Sequence, residues 1–525
     1  MSHYKMCGIF ACLNCTEPVD SLKTGCNKIQ HRGPDHSSFG VVPNTNHVYG
    51  FHRLSINDLT EKGNQPLVHP SHPHIKVICN GEIYNHNDLK KIYNFKTYSG
   101  SDCEIILHLY QRFGIERTVQ ELDGYFAFIL FDNDNVFVAR DEIGVRSLYI
   151  GNNGDSVYIS SELKAIHPYC KEVFPFPNGH IWAYSNETKS GEYTCYKKEY
   201  NMIDDTYQFA LSTTKKLLED AVKKRVDNTE RPIGCLLSGG LDSSLISSLV
   251  CKYSNQKVHT FSIGLAESID LKYARMVADH LQTIHHEVIV TEDELLAAIP
   301  DVIKQIETYD TTTVRASTPM YLLCKYISDH TDIKVIFSGE GADELSGSYL
   351  YFKNAPSLRE FYEETHRLTS ELQYFDVLRC DKSTAAHGLE VRVPFLDKEF
   401  MNYYLYINPQ FKYYSSFECE KYLLRDAFRD MLPDEVLWRT KEAFSDGISK
   451  KSRSWYEIIQ DHVSTLNLPD VIYEYNPPAS KETQWYRSLF DTYYPNCEDV
   501  LPYYWLPKWC GDVKNPSARV LSSYL

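Results

Sequence analysis

A chain of 525 residues is longer than one hydrophobic core usually supports, so two or three domains are expected. With 43% hydrophobic and 24% charged residues it reads as an ordinary globular protein, and a net charge of −16 without a long basic run argues against nucleic acid or an anionic membrane as the main partner. There is no 18-residue apolar run and no signal-like start, and the 15 cysteines show no disulfide rhythm, so the expected setting is a reducing cytoplasm.

In chain order, Cys7 to Cys12 form a short apolar strand. Cys12-x-x-Cys15 has no second C-x-x-C, and two small residues in or after a strand explain it without a metal. Then come His31-Arg32-Gly33-Pro34-Asp35, Arg53-Leu54-Ser55-Ile56, Asn80-Gly81-Glu82-Ile83-Tyr84-Asn85, Ser99 to Glu104, Leu122 to Phe128, and Ala139-Arg140-Asp141. Singly, these read as an Asn-Gly turn, a surface arginine and a capping aspartate. The longest uninterrupted apolar block, Tyr125 to Phe131, is strand-sized. Lys197-Lys198-Glu199-Tyr200-Asn201 reads as a polar connector, and an amphipathic helix is predicted from Tyr207 to about Val226. Beyond it, strand-sized runs at 233–237, 258–265, 285–290 and 333–337 alternate with helical patterns at 241–254, 270–282, 292–304 and 317–330. That alternation predicts a parallel, doubly wound sheet, with ligands at the carboxyl ends of its strands.

Two loops fall at those ends. Ser238-Gly239-Gly240-Leu241-Asp242-Ser243-Ser244 joins a strand to a helix. Its glycines let backbone N–H groups approach a ligand, and the helix N-terminus adds positive potential suited to phosphate. Asp242 is placed where a Mg²⁺ bridging phosphate oxygens could be held. The same glycines would equally serve an ordinary strand-to-helix turn, and the Walker sequence is absent. Ser338-Gly339-Glu340-Gly341-Ala342-Asp343-Glu344 again follows a strand, now with three carboxylates. His285-His286 lacks a carboxylate at ligand spacing and reads as structural. Arg379 and Arg392 suit either phosphate or aspartate binding, or ion pairs with Glu390 or Asp397.

Taken together, the first set of segments resembles the class-II glutamine amidotransferase domain over about 7–190. That family is an N-terminal-nucleophile αββα sandwich whose first mature residue is cysteine. The loop SGGLDS resembles that of the N-type ATP pyrophosphatases, which cleave ATP to AMP and PPi by adenylating a substrate. With Tyr309-Asp310 to Pro319, Leu378-Arg379-Cys380-Asp381-Lys382, Gly388 to Asp397, Trp438 to Gly447, Ala479 to Glu482 and Pro516-Ser517-Ala518-Arg519, the second half resembles the asparagine synthetases. The expected fold is therefore an α+β sandwich at 7–195, followed at 206–525 by an α/β doubly wound parallel-sheet domain. Ala342, where a serine is common, and Ser346-Gly347-Ser348, where the family is richer in glycine, are small departures.

The resemblance implies that Cys7 attacks the glutamine amide while the Asn80 side chain and Gly81 N–H form the oxyanion hole. Arg53 would hold the α-carboxylate, Asp102 with Glu82 the α-amino group, and Leu54, Ser55, Ile56 and Asn57 would line the glutamine site. Leu236, Ile263, Ser338 and Gly339 would contact adenosine. Ser238, Gly239, Gly240, Asp242 and Ser243 would cradle pyrophosphate, and Asp242 and Asp343 would hold Mg²⁺. Glu340 would be the catalytic carboxylate and Lys441 would steady phosphate charge. The implied reaction makes asparagine from aspartate, glutamine and ATP through β-aspartyl-AMP, with ammonia carried between sites. Family members are often dimers. A β-lactam-synthetase-like ring closure is disfavoured by the retained Cys7 and Asn80-Gly81. A nonenzymatic relative is disfavoured by intact Asp242, Glu340, Asp343 and Lys441.

Six residues precede Cys7, whereas in the family the cysteine directly follows the initiator methionine. A free α-amine, with pKa about 8, can act as base for its own thiol, and an internal peptide nitrogen cannot. Translation from Met6, or removal of residues 1–6, is therefore expected. Intact-mass spectrometry of the native protein should show a chain beginning at Cys7. Full glutaminase activity from a chain beginning at Met1 or Ser2 would defeat the free-amine mechanism.

Overall fold

The computed structural model describes residues 7–517 except 134, 199, 418, 442, 443 and 451. Met6 and the residues before it, Glu199 of the connector, Glu442 and Ala443, and Ala518-Arg519 thus lie outside the described residues.

Twelve strands make two antiparallel sheets. The first runs β10 (Glu172–Pro175), β8 (Tyr149–Asn152), β9 (Val157–Ser160), β1 (Gly8–Leu13), β3 (Val48–Arg53), β2 (His36–Val41). The second runs β12 (Ser190–Cys195), β11 (His180–Ser185), β7 (Asn135–Arg140), β6 (Gly124–Asp132), β5 (His72–Ile83), β4 (Leu67–His69). Side chains alternate across a strand, so each sheet buries two faces. Ile9, Ala11, Leu13 and Phe51 meet Ile78, Ala127, Ile129 and Val138 between the sheets. Phe10 and Cys12 turn the other way, onto Leu22 and Cys26 of the helix Val19–Asn27. Val77, Phe128 and Leu130 face Ile105, Ile106 and Leu109 of the helix Ile105–Glu121. The layers are helix, sheet, sheet, helix, as the αββα expectation requires.

The third sheet is wholly parallel, in the order β15 (Ile284–Val290), β14 (His259–Leu265), β13 (Ile233–Leu236), β16 (Val335–Phe337), β17 (Glu390–Arg392). The chain winds outward from β13 to β15 and then returns to β16 on the opposite side. The crevice between the carboxyl ends of β13 and β16 is the switch point where doubly wound sheets bind ligands. Both glycine loops open there.

Two features differ from the sequence expectation. The helix predicted from 317 begins at Thr311, because the Asp310 carboxylate accepts the Thr313 N–H at 2.8 Å as an N-cap. The β-branched run 311–313 disguises that start. The fifth strand, β17, has three residues, two of them charged, and carries no strand signal. It is buried because Glu390 and Arg392 pair with each other at 3.0 Å.

The antiparallel sheets and the parallel sheet meet across a buried ionic network. Asp381 of the helix Asp376–Ala385 accepts from Arg32 at 3.0 Å, from Ser147 at 2.9 Å and from Arg146 at 3.4 Å. All three ionic side chains are fully buried. Removing one partner of a buried ion pair strands the other charge, at a cost of about 3–5 kcal/mol. Asp381→Ala should lower unfolding stability by that amount in a urea titration. A change below about 1 kcal/mol would mean this carboxylate does not tie the parts together.

Candidate active sites

Cys7 precedes β1, at the mouth of a pocket lined by Arg53, Leu54, Ile56, Asn57, Asn80, Gly81, Glu82, Asp102 and Glu390. Its sulfur accepts the Leu54 N–H at 3.3 Å, and burial pushes the thiol up to about 12. Asn80 and Gly81 lie within β5 and are not a turn. Asn80 is 1% exposed, and its Nδ2 is buried without a hydrogen-bond partner in the described structure. A buried amide N–H without an acceptor is a donor held for something that arrives later. A Cβ at Gly81 would stand 2.3 Å from the Tyr125 carbonyl, so only glycine fits beside that donor.

Arg53 is buried and not on the surface. Its Nη1 donates to Thr60 O and Asn64 Oδ1, each at 2.7 Å, and its Nη2 donates to Asp58 O. The guanidinium implied to hold a carboxylate is thus clasped by the loop 57–64. Asp102 is likewise buried and accepts the Ile83 N–H at 2.6 Å. Burial pushes the Glu82 carboxyl well up, and Glu390 and Asp102 add to that against Arg392. The Glu82 carboxylate accepts from Asn57 at 2.8 Å and Asn228 at 2.9 Å. Ser55 is connected through its backbone, with its N–H on Asp35 and its carbonyl on Arg231.

The second cleft opens at the switch point and is the larger of the two, about 1050 Å³ against about 410 Å³ for the Cys7 pocket with the open solvent of each included. Leu236, Ser238, Asp242, Ser243, Ile263, Ser338, Gly339, Glu340, Asp343 and Lys441 all line it. Gly239 and Gly240 shape the loop behind. Gly239 has φ +73°, and a Cβ there would meet Ala274 N at 2.4 Å. Ser238 Oγ accepts the Gly240 N–H at 3.3 Å and lies 3.0 Å from Ser243 Oγ, which folds the loop over the start of the helix Leu241–Tyr253. That helix has no side-chain cap, so its first N–H groups face the cleft as an anion site.

Glu340 accepts from Arg379 at 2.6 Å, and the same Nη2 reaches Asp376 at 2.7 Å. Burial raises the Glu340 carboxyl, against the pull of Arg379. Arg379 therefore belongs to this cleft. Arg392 does not, being fully buried between Glu390 and Glu82. Asp343 binds Lys441 at 2.5 Å, and Lys421 bridges Asp343 and Asp242 at 2.6 Å each. Burial opposes the Asp343 charge, but the two lysines outweigh it and hold the carboxyl well below its usual range. Asp242 Oδ1 is buried without a hydrogen-bond partner, an oxygen suited to a hard cation. Among the described residues no three His, Cys, Asp or Glu side chains converge as a metal site, so such a cation would need oxygens from a ligand. His285 and His286 bond to Thr260, Ser262 and His259 within the sheet.

Sequence reasoning missed Asp376 and Glu390 as lining groups, and Lys421 as the partner of Asp242 and Asp343. Lys421 and Asp376 carried no motif signal. Glu390 stood in a quoted motif but reads as an ion-pair partner.

With this geometry in hand, comparison with known proteins is informative. An asparagine synthase family model matches residues 213–374 and 354–511, and a glutamine amidotransferase domain model matches 6–207. Glutamine-hydrolysing asparagine synthetases of Cricetulus griseus, Gallus gallus and Homo sapiens are 43%, 44% and 42% identical, each over 99% of this chain and 99% of their own. The chain belongs to the glutamine-hydrolysing asparagine synthetase family. The resemblance drawn from the motifs is thereby established for the whole length. Among the described residues no helix is long and apolar enough to cross a membrane.

A thiol with pKa about 12 gains thiolate roughly tenfold per pH unit below that value. In the protein retaining residues 1–6, iodoacetamide labelling of Cys7 should therefore climb about tenfold per unit from pH 7 to 10, followed by peptide mass mapping. A plateau below pH 9 would show a less apolar surrounding than the geometry describes.

Proposed function

We infer that this chain makes L-asparagine from L-aspartate, ATP and L-glutamine, releasing glutamate, AMP and PPi. Family membership across the full length supports the reaction. The observation that carries the assignment of sites is the pairing of two unlike clefts in one chain. One holds a thiol beside an acceptor-less amide, and the other a glycine loop facing a paired carboxylate. We assign the division of labour as 7–195 for glutamine hydrolysis and 206–525 for synthesis.

In the smaller pocket Cys7 attacks the glutamine amide carbon, the adduct expels ammonia to leave a thioester, and water cleaves that thioester to glutamate and the free thiol. The Asn80 amide and the Gly81 N–H take the charge that develops on oxygen. Arg53 pairs with the substrate α-carboxylate and Asp102 and Glu82 with its α-ammonium, which requires the loop 57–64 to release part of its hold on the guanidinium. In the larger cleft the phosphates of ATP lie against the N-terminus of the helix Leu241–Tyr253, with adenosine toward Leu236, Ile263, Ser338 and Gly339. The β-carboxylate of aspartate attacks the α-phosphorus, PPi leaves, and ammonia displaces AMP from the resulting β-aspartyl-AMP. Lys441 balances phosphate charge as PPi departs. Glu340, held by Arg379 and raised by burial, is placed to accept a proton from the attacking nitrogen. Asp242 and Asp343 would hold Mg²⁺, which would neutralise phosphate charge.

PPi release with aspartate and ATP, supplied with glutamine or with ammonium chloride, tests the reading. Cys7→Ala should abolish glutamine-driven turnover and leave the ammonium-driven rate within about twofold, since the two chemistries are separate. Glu340→Ala should lose at least about 100-fold with either nitrogen source. Equal loss of both activities in Cys7→Ala would mean the pockets are wrongly assigned, and PPi without asparagine would remove the synthetic reading.

A further inference from the structure

We propose that Lys421 is an internal substitute for the divalent cation of the larger cleft, so that metal enters only in company with the nucleotide. This rests on the reading of Asp242 and Asp343 as the metal carboxylates.

Lys421 is 3% exposed, and its ammonium touches both carboxylates, at 2.6 Å from Asp242 Oδ2 and 2.6 Å from Asp343 Oδ1. Lys441 lies on the other Asp343 oxygen at 2.5 Å. Two carboxylates and two ammoniums cancel. Of the further carboxyls of the cleft, Glu340 and Asp376 share Arg379, and Glu344, which accepts from Tyr349, is pushed well up by burial. A divalent ion approaching from water thus meets two carboxylates already matched by two ammoniums, and an ammonium at contact distance from its ligands repels it. It also lacks ligands, since no third His, Cys, Asp or Glu side chain converges there among the described residues. A hard cation takes about six oxygens. A polyphosphate changes both conditions at once. It supplies oxygens and negative charge, and a lysine on its flexible stem can move from carboxylate to phosphate. Asp242 and Asp343 are then released to the metal, with Asp242 Oδ1 already free of other partners.

The backbone supports this placement independently. Lys421 has φ +57° and ψ +28°, the left-handed region, just ahead of the helix Tyr422–Ala427. A non-glycine residue stays there only where its surroundings over-determine it, and such positions cluster at functional sites. The neighbouring Glu420 carboxylate accepts from Arg425 and from the Lys441 N–H at 3.1 Å, so one group ties the two lysine-bearing segments together. A lysine kept only for packing would need neither the turn nor the shared anchor.

The test uses the full-length protein and Mn²⁺ without nucleotide, reading free Mn²⁺ by electron paramagnetic resonance. Lys421→Met should bind one Mn²⁺ at least tenfold more tightly than wild type. Lys421→Arg should behave like wild type, and Lys421→Met with Asp343→Asn should lose the gain. Mn²⁺ alone should raise the melting temperature of Lys421→Met and leave that of wild type unchanged, which a purely structural lysine would not produce. Lys421→Gly, which also relieves the left-handed backbone, repeats the comparison should the Met variant not fold. Equal Mn²⁺ affinity in wild type and Lys421→Met overturns the proposal. Equal affinity of wild type and Asp343→Asn for Mn²⁺·ATP overturns the carboxylate assignment beneath it, and that result comes from a separate arm.

Discussion

The two clefts share a wall three residues long. On β17, Glu390 lines the Cys7 pocket, while the Arg392 carbonyl accepts the N–H of Ser338, which lines the larger cleft. Between them the Arg392 side chain is fully buried and must find its counter-charges inside the protein. It takes one from its own strand, Glu390, and one from across the divide, Glu82. A buried guanidinium that loses a carboxylate pays heavily, so the two sheets cannot slide without exposing that cost. One cation therefore fixes how the Cys7 pocket faces the sheet that carries the glycine loops.

A second tie runs parallel to it. The helix Asp376–Ala385 holds Asp376 and Arg379 against Glu340 at its start, and Asp381 and Lys382 further along. Asp381 grips Arg32, whose Nε donates to the Cys7 carbonyl at 2.9 Å, and Lys382 donates to Tyr149 at 2.7 Å and to Glu307. Buried pairs of this kind often add little net stability over apolar packing. What they add here is register, since each charge accepts few positions for its partner. A displacement of either cleft is felt at the other through two turns of helix.

How much of this was legible depends on where the controlling physics lies. Alternating apolar runs and glycine loops are local, so the parallel sheet, its switch point and residues 238–243 and 338–344 could be read directly. The amidotransferase residues were readable only as an ensemble: Asn80, Arg53 and Asp102 each look like surface or turn residues until packing buries them. β17 was illegible because its strand character comes from ion pairing with Glu82 and with its own neighbour, not from apolar periodicity. Lys421 was illegible because nothing in Glu420-Lys421-Tyr422 announces a left-handed turn. The competing readings of Arg379 and Arg392 were settled by position alone: the first is on the cleft-facing helix and the second inside the shared wall.

The charge sets of the two pockets are built differently. Around the smaller pocket, Glu82, Asp102 and Glu390 are matched in number by Arg53, Arg392 and Arg146, which lies 3.7 Å from Glu390, and burial pushes the Glu82 and Asp102 carboxyls up. At the larger cleft Lys421 and Lys441 pair with Asp242 and Asp343, Arg379 is shared by Glu340 and Asp376, and burial pushes the Glu344 carboxyl well up. The uncapped helix and the folded glycine loop add directed donors. A cleft neutralised from within also avoids presenting free carboxylates to every passing cation.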